Sequence, residues 1–115
     1  MQNVQNNIQF LLKQNSIIPV VTINDMDEIE PIIYSLLDKN IKCIEVTLRT
    51  ENAFEAIEFI KKNYGEKICV GAGTVVNIKQ IDKLEKIGVD FIVCPGVSSE
   101  LVKSLLNCKI PFLPG

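Results

Sequence analysis

The sequence predicts an α/β fold built on a parallel sheet, and three observations carry that prediction. Short apolar runs rich in β-branched residues alternate with longer amphipathic stretches along the chain. The runs recur at intervals of roughly 20 to 27 residues, the period of a βα unit. No hairpin signal stands between them, so successive strands are joined by right-handed crossovers and run parallel.

The strand runs are Ile17–Ile23, Cys43–Arg49, Ile68–Val75, Phe91–Pro95 and Ile110–Leu113, each too short for an ordinary helix. Before the first, the Asn7–Gln14 segment, with Ile8, Leu11 and Leu12 apolar, reads as a short helix within residues 1–15. Four amphipathic stretches lie between the strands, carrying apolar stripes at helical spacing. The first stripe is Ile29, Ile32, Ile33, Leu36 and Leu37, and the second is Ala53, Phe54, Ile57 and Ile60. Ile78, Ile81, Leu84 and Ile87 form the third; Leu101, Val102, Leu105 and Leu106 form the fourth. Thr50, Asn77 and Ser98 stand where N-caps are expected, and Gln80 follows Asn77 at capping-box spacing. Gly65 and Gly88 mark the ends of the second and third helices. Pro31 lacks an N–H and fits only a first turn, so the first helix is expected to start near Asp27.

Composition bounds what this fold does. The 115 residues, 47% hydrophobic and 23% charged, suit a single globular domain over 1–115, with its βα units in 17–115. Twelve basic against fourteen acidic residues provide no field for nucleic acid. No apolar run approaches the ~18 residues that span a bilayer, and MQNVQNNIQFLLKQN lacks the features of a signal peptide. A cytoplasmic location with no membrane partner is the expectation. Cys43, Cys69, Cys94 and Cys108 are scattered without a CxxC pair, which reads as reduced thiols acting as small hydrophobes. With no histidine, a zinc site and the Ser/His and Cys/His nucleophile pairs are not expected. Acid–base chemistry then falls to carboxylate, Lys, Tyr, Cys or water.

The segment CIEVTLRT chooses between two architectures. Alternation puts Cys43, Glu45, Thr47 and Arg49 on one strand face and Ile44, Val46 and Leu48 on the other. The apolar face packs under helices, and the mixed face must look into surroundings that tolerate charge. An open doubly wound sheet covers both faces with helices, where an unpaired carboxylate costs several kcal/mol. A barrel instead turns this face inward and toward the mouth at the carboxyl ends of the strands. The expectation is therefore a (β/α)8 TIM barrel, of which the sequence supplies the first five βα strands. A bland reading stays open: Glu45 and Arg49 form a structural ion pair, although roughly 13 Å of strand separates them.

The third run, ICVGAGTV, has Ala72 and Thr74 on one face, with Gly71 and Gly73 clearing space for a ligand to approach the backbone. Turn punctuation explains the glycines equally well, and GAGT has neither dinucleotide nor P-loop spacing. Pro95-Gly96 and Pro114-Gly115 close the last two strands and offer a rigid wall beside the mouth, or turns alone.

PVV near Pro19, IEVTLRT, VGAGTV, CPG before a Ser-capped helix and IPFLPG, in that order, resemble the 2-keto-3-deoxy-6-phosphogluconate (KDPG) and 4-hydroxy-2-oxoglutarate (KHG) aldolase family. The resemblance implies a trimeric (β/α)8 barrel and a class I aldolase that needs no metal or other cofactor. It implies cleavage of KDPG to pyruvate and glyceraldehyde 3-phosphate, or of KHG to pyruvate and glyoxylate, through a lysine Schiff base. Matched motif by motif, it makes Glu45 the catalytic acid/base, gives Arg49 and Thr74 the pyruvate carboxylate, and has Pro95 line the pocket. The family's lysine lies in a K-F-F-P-like motif on a sixth strand, and no lysine here stands in such a motif. The chain is thus expected to be the N-terminal part of a longer aldolase and inactive alone. The alternative is a small α/β module that binds carboxylates or oligomerises without turnover; a flavodoxin-like signalling domain lacks its acidic cluster.

Overall fold

The computed structural model describes residues 9, 12–96 and 98–114. Five strands form one parallel sheet in the order β1-β2-β3-β4-β5. They are β1 (Val20–Val21), β2 (Cys43–Thr47), β3 (Cys69–Gly73), β4 (Phe91–Cys94) and β5 (Phe112–Pro114). Between them run α1 (Ile29–Asp38), α2 (Ala53–Tyr64), α3 (Ile78–Ile87) and α4 (Ser99–Asn107).

Strand order never reverses, whereas a doubly wound sheet must reverse to put helices on both faces. Burial agrees. Ile44, Val46, Val70, Ala72 and Ile92 pack with Ile33, Ile57, Leu84 and Leu105 of the helices in one large core. The opposite face gathers Cys43 and Phe91 with Ile18, Cys69, Val93 and Leu113, and contributes no helical residue. Helices therefore cover one side only, and the other side is the inner wall of a barrel. This is the first five-strand portion of a (β/α)8 barrel.

Local signals explain where the helices begin and end. The Asn77 side chain accepts from Gln80 N–H, and Gln80 Oε1 accepts from Asn77 N–H, closing the capping box. Ser98 Oγ accepts from Leu101 N–H. Gly88 ends α3 at φ 83°, a left-handed turn that favours glycine. A 3-10 turn over Met26–Glu28, capped by Asp25, leads into α1, so Pro31 falls in the first turn of the α-helix.

Three expectations need correction. The cap of α2 is Asn52; Thr50 Oγ1 instead donates to Ile23 C=O at 2.6 Å. β1 is much shorter than Ile17–Ile23, because it lies at the sheet edge with β2 its single partner, leaving Ile17 and Val20 exposed. Ile78 opens α3 at the rim, and Leu106 is turned about 100° from buried Leu105, so both stripe residues are exposed. Of the N-terminal helix, Gln9 and residues 12–14 are helical, and Ile8 and Leu11 lie outside the described residues. No described helix is long and apolar enough to cross a membrane.

At the amino ends of the strands one ion pair ties sheet to helix. Asp90, just ahead of β4, accepts from Val70 N–H at 2.8 Å and from Lys61 Nζ of α2 at 3.1 Å. The polar groups of interest lie at the other end.

Candidate active site at the carboxyl ends of the strands

β2 places Glu45 and Thr47 on the inner wall, two residues apart, as period-2 alternation requires. Thr47 pairs in register with Gly73 of β3. The Glu45 side chain climbs one rung and lies across Gly73, so closely that a Cβ there would overlap its carboxylate. Gly73 is thus a seat for Glu45.

The turn after β2 is fastened from both sides. Leu48 N–H donates to Gly73 C=O at 2.9 Å, while Thr50 Oγ1 and Asn52 Nδ2 hold the backbone carbonyls of Ile23 and Asn24. Arg49, carried on that turn, donates from Nε to Thr74 Oγ1 at 3.3 Å. Arg49 is exposed, and its two terminal nitrogens donate no hydrogen bond among the described residues.

Thr74 is where strand alternation breaks. It does not share a face with Ala72, which is buried under the helices. Its φ of 59° lies in the left-handed region, costing a β-branched residue about 1–3 kcal/mol. The flanking bonds hold it there: Gly73 C=O accepts from Leu48 N–H before it, and Val75 N–H donates to Val93 C=O after it. The left-handed turn brings the hydroxyl to the guanidinium.

The environment acts on Glu45 in two directions. Half-burial pushes its carboxyl pKa above the ordinary value, and the positive charge of Arg49 pulls it back by less. The two are not in ion-pair contact; among the described residues the one ion pair is Lys61–Asp90. The direct structural pair is therefore not formed. Since the fold favours protonated Glu45, the stability this proton confers is full below the ordinary carboxylate pKa and lost as pH rises through the elevated one. Glu45→Gln, which stays neutral, is expected to raise the midpoint of thermal unfolding at neutral pH and to leave it unchanged in acid. Thermal melts at several pH values check this, and a lower midpoint at neutral pH would contradict it.

A hydroxyl pair completes the rim. Thr22 and Thr47 approach to 2.8 Å between Oγ1 atoms across β1 and β2, with Thr47 buried and Thr22 exposed. The sequence reading passed over Thr22; the available signal was its place one residue past the β1 apolar pair, in register with Thr47. Pro95 follows β4 at the same edge and is exposed, in no described contact with Glu45, Arg49 or Thr74.

The family model for KDPG and KHG aldolase matches residues 8–115. The chain belongs to that family. It is 34% identical to the KHG/KDPG aldolase of Escherichia coli over all of its own length and 54% of that enzyme's. Among solved structures, the KDPG aldolase of Zymomonas mobilis with 3-phosphoglycerate superposes at TM-score 0.88, with 36% identity over 96% of this chain and 52% of that one. The Legionella pneumophila enzyme, with pyruvate captured as a covalent carbinolamine, superposes at 0.81 with 33% identity, covering 85% of this chain and 47% of that one. The chain thus spans about half the length of the curated relatives it matches.

All eleven lysines lie among the described residues, and none is carried on a strand. Lys42, Lys67 and Lys109 precede β2, β3 and β5. Lys79, Lys83 and Lys86 lie exposed on α3, where Lys83 Nζ sits 4.3 Å above the Phe54 ring. Lys61 is held by Asp90.

Proposed function

We propose that this chain supplies the acid/base and carboxylate-binding half of a class I aldolase. The substrate is KDPG, cleaved to pyruvate and glyceraldehyde 3-phosphate, or KHG, cleaved to pyruvate and glyoxylate. The observation that supports it best is the seating of a half-buried carboxylate with a raised pKa beside an exposed guanidinium braced on Thr74.

In this reading Arg49 binds the keto-acid carboxylate through its terminal N–H groups, the planar geometry in which arginine is strongest. Thr74 orients the guanidinium and adds a hydroxyl. Glu45 takes the proton from the substrate C4 hydroxyl as the C3–C4 bond breaks. The bonding electrons pass into the iminium formed on a lysine, giving an enamine, and protonation of that enamine carbon yields the iminium of pyruvate. A carboxyl with a raised pKa serves both as base and as acid near neutrality. Pro95 walls the pocket. No cofactor is required by this chemistry.

The lysine is assigned to a part of the barrel that residues 1–115 do not provide, so this polypeptide alone is inactive. Incubation with pyruvate and sodium borohydride, followed by mass spectrometry, is expected to leave the chain unmodified; a reduced pyruvate adduct would overturn the assignment. In the enzyme completed by the second half of the barrel, Glu45→Gln is expected to cut turnover by about 100- to 10,000-fold. The borohydride-trapped adduct should persist there. Equal loss of both would make Glu45 structural. The completed barrel is assigned to the cytoplasm as a homotrimer, without nucleic-acid or membrane partners.

A further inference from the structure

β2 and β3 each begin with a cysteine. Cys43 and Cys69 are Cα partners in the parallel ladder and share the inner face. Neighbouring strands lie about 4.8 Å apart, inside the roughly 4.4–6.8 Å Cα separation that a disulfide bridges. The Asp90 carboxylate accepts from the N–H of Val70, the residue that follows Cys69. Cys43 is fully buried in the cluster with Phe91, whereas Cys69 is only partly covered. Both thiols are free, and the chemistry proposed above for the rim uses neither.

We propose that Cys43 and Cys69 are an oxidative modification site, closing into an intrachain disulfide when the protein meets a peroxide. Oxygen transfer to Cys69, the less buried of the two, converts its thiol to a sulfenic acid and releases one water. The Cys43 sulfur then attacks the Cys69 sulfur; the S–OH bond breaks, the hydroxyl leaves with the Cys43 proton as a second water, and the S–S bond forms. Two thiols lose two electrons in all, and the peroxide O–O bond takes them.

The surroundings divide these roles. The interaction with its partner, then burial and Asp90, push the Cys69 thiol far above its ordinary pKa, while the same interaction draws Cys43 down. The first step is therefore slow and the second fast, since the attacking sulfur is the better nucleophile and already in place. Cys94 and Cys108 differ. Both are buried in the helix-facing core, and Cys108 donates its S–H to Leu105 C=O at 3.2 Å.

The test is to expose the folded 115-residue chain to hydrogen peroxide, alkylate it under denaturing conditions and digest it with trypsin. Cleavage after Lys42, Arg49, Lys67 and Lys79 isolates the two cysteines on separate peptides, Cys43–Arg49 and Ile68–Lys79. The expected product is those two peptides joined and two hydrogens lighter than their sum, with Cys94 and Cys108 still alkylated. Cys43→Ser and Cys69→Ser should each abolish the joined species, and Cys94→Ser should leave it. Joining of Cys94 to Cys108 at a comparable rate, links between separate chains, or four alkylated thiols after treatment would each overturn the proposal.

Discussion

Gly73→Ala in the completed enzyme is expected to lower kcat by about 100-fold, the cost of displacing a catalytic group by about an ångström, with little loss of folding. The added methyl would overlap the Glu45 carboxylate and nothing more rigid, because the nearest atoms to a Cβ at Gly73 are Oε2, Cδ and Cγ of that side chain. A glutamate has rotatable bonds with which to retreat, so the backbone pairing of Thr47 with Gly73 survives. What is lost is the position of the carboxylate to which proton transfer is assigned above, relative to Arg49 and Thr74. A continuous assay of pyruvate release, with a thermal melt as control, checks both halves. An unchanged kcat with Glu45 displaced would remove Glu45 from the chemistry.

Two residues earlier on the same wall, the same substitution is expected to act on folding. A Cβ at Gly71 would overlap the Phe91 ring, which is fully buried and flat against the glycine. Phe91 is fully buried and shares its cluster with Cys43, Cys69, Val93 and Leu113, so the ring moves only by displacing neighbours. Overpacking of this kind costs about 1–3 kcal/mol and occasionally more. Chemical denaturation of Gly71→Ala should show that loss on the 115-residue chain itself. Pairing it with Phe91→Leu should return part of it, because the smaller side chain clears the overlap. A Gly71→Ala chain as stable as the parent would mean that the inner wall is looser than described.

The contrast between these glycines shows what was legible in advance. Glycine in VGAGTV announced a close approach, but whether a carboxylate or a ring does the approaching depends on which rung of β2 or β4 lies opposite, and register is a cross-strand property. The split between Ile44/Val46 and Cys43/Glu45/Thr47 was readable because strand alternation is local and the helix-facing set is uniformly apolar. Asn77 with Gln80 was readable for the same reason, a capping box being complete within four residues. Thr74 was placed correctly at the rim but on the wrong face, because alternation does not foresee a left-handed residue that only bonds to its neighbouring strands maintain. Thr50 looked like a cap from its position; its hydroxyl is taken by Ile23, a partner 27 residues away that no local window contains. Thr22 was missed for that reason too. The helices were legible as stripes, and their ends less so, since Ile78 and Leu106 fit the period but lie beyond what the sheet covers.

The unbroken strand order has a consequence for how such a chain comes into being. Every strand docks on the one completed just before it, so no segment must wait for a distant partner to be translated. A polypeptide leaving the ribosome at about 5–20 residues per second can lay down this wall unit by unit. The cradle formed by Glu45, Arg49 and Thr74 is therefore complete once the β3 turn has emerged and β4 has joined it.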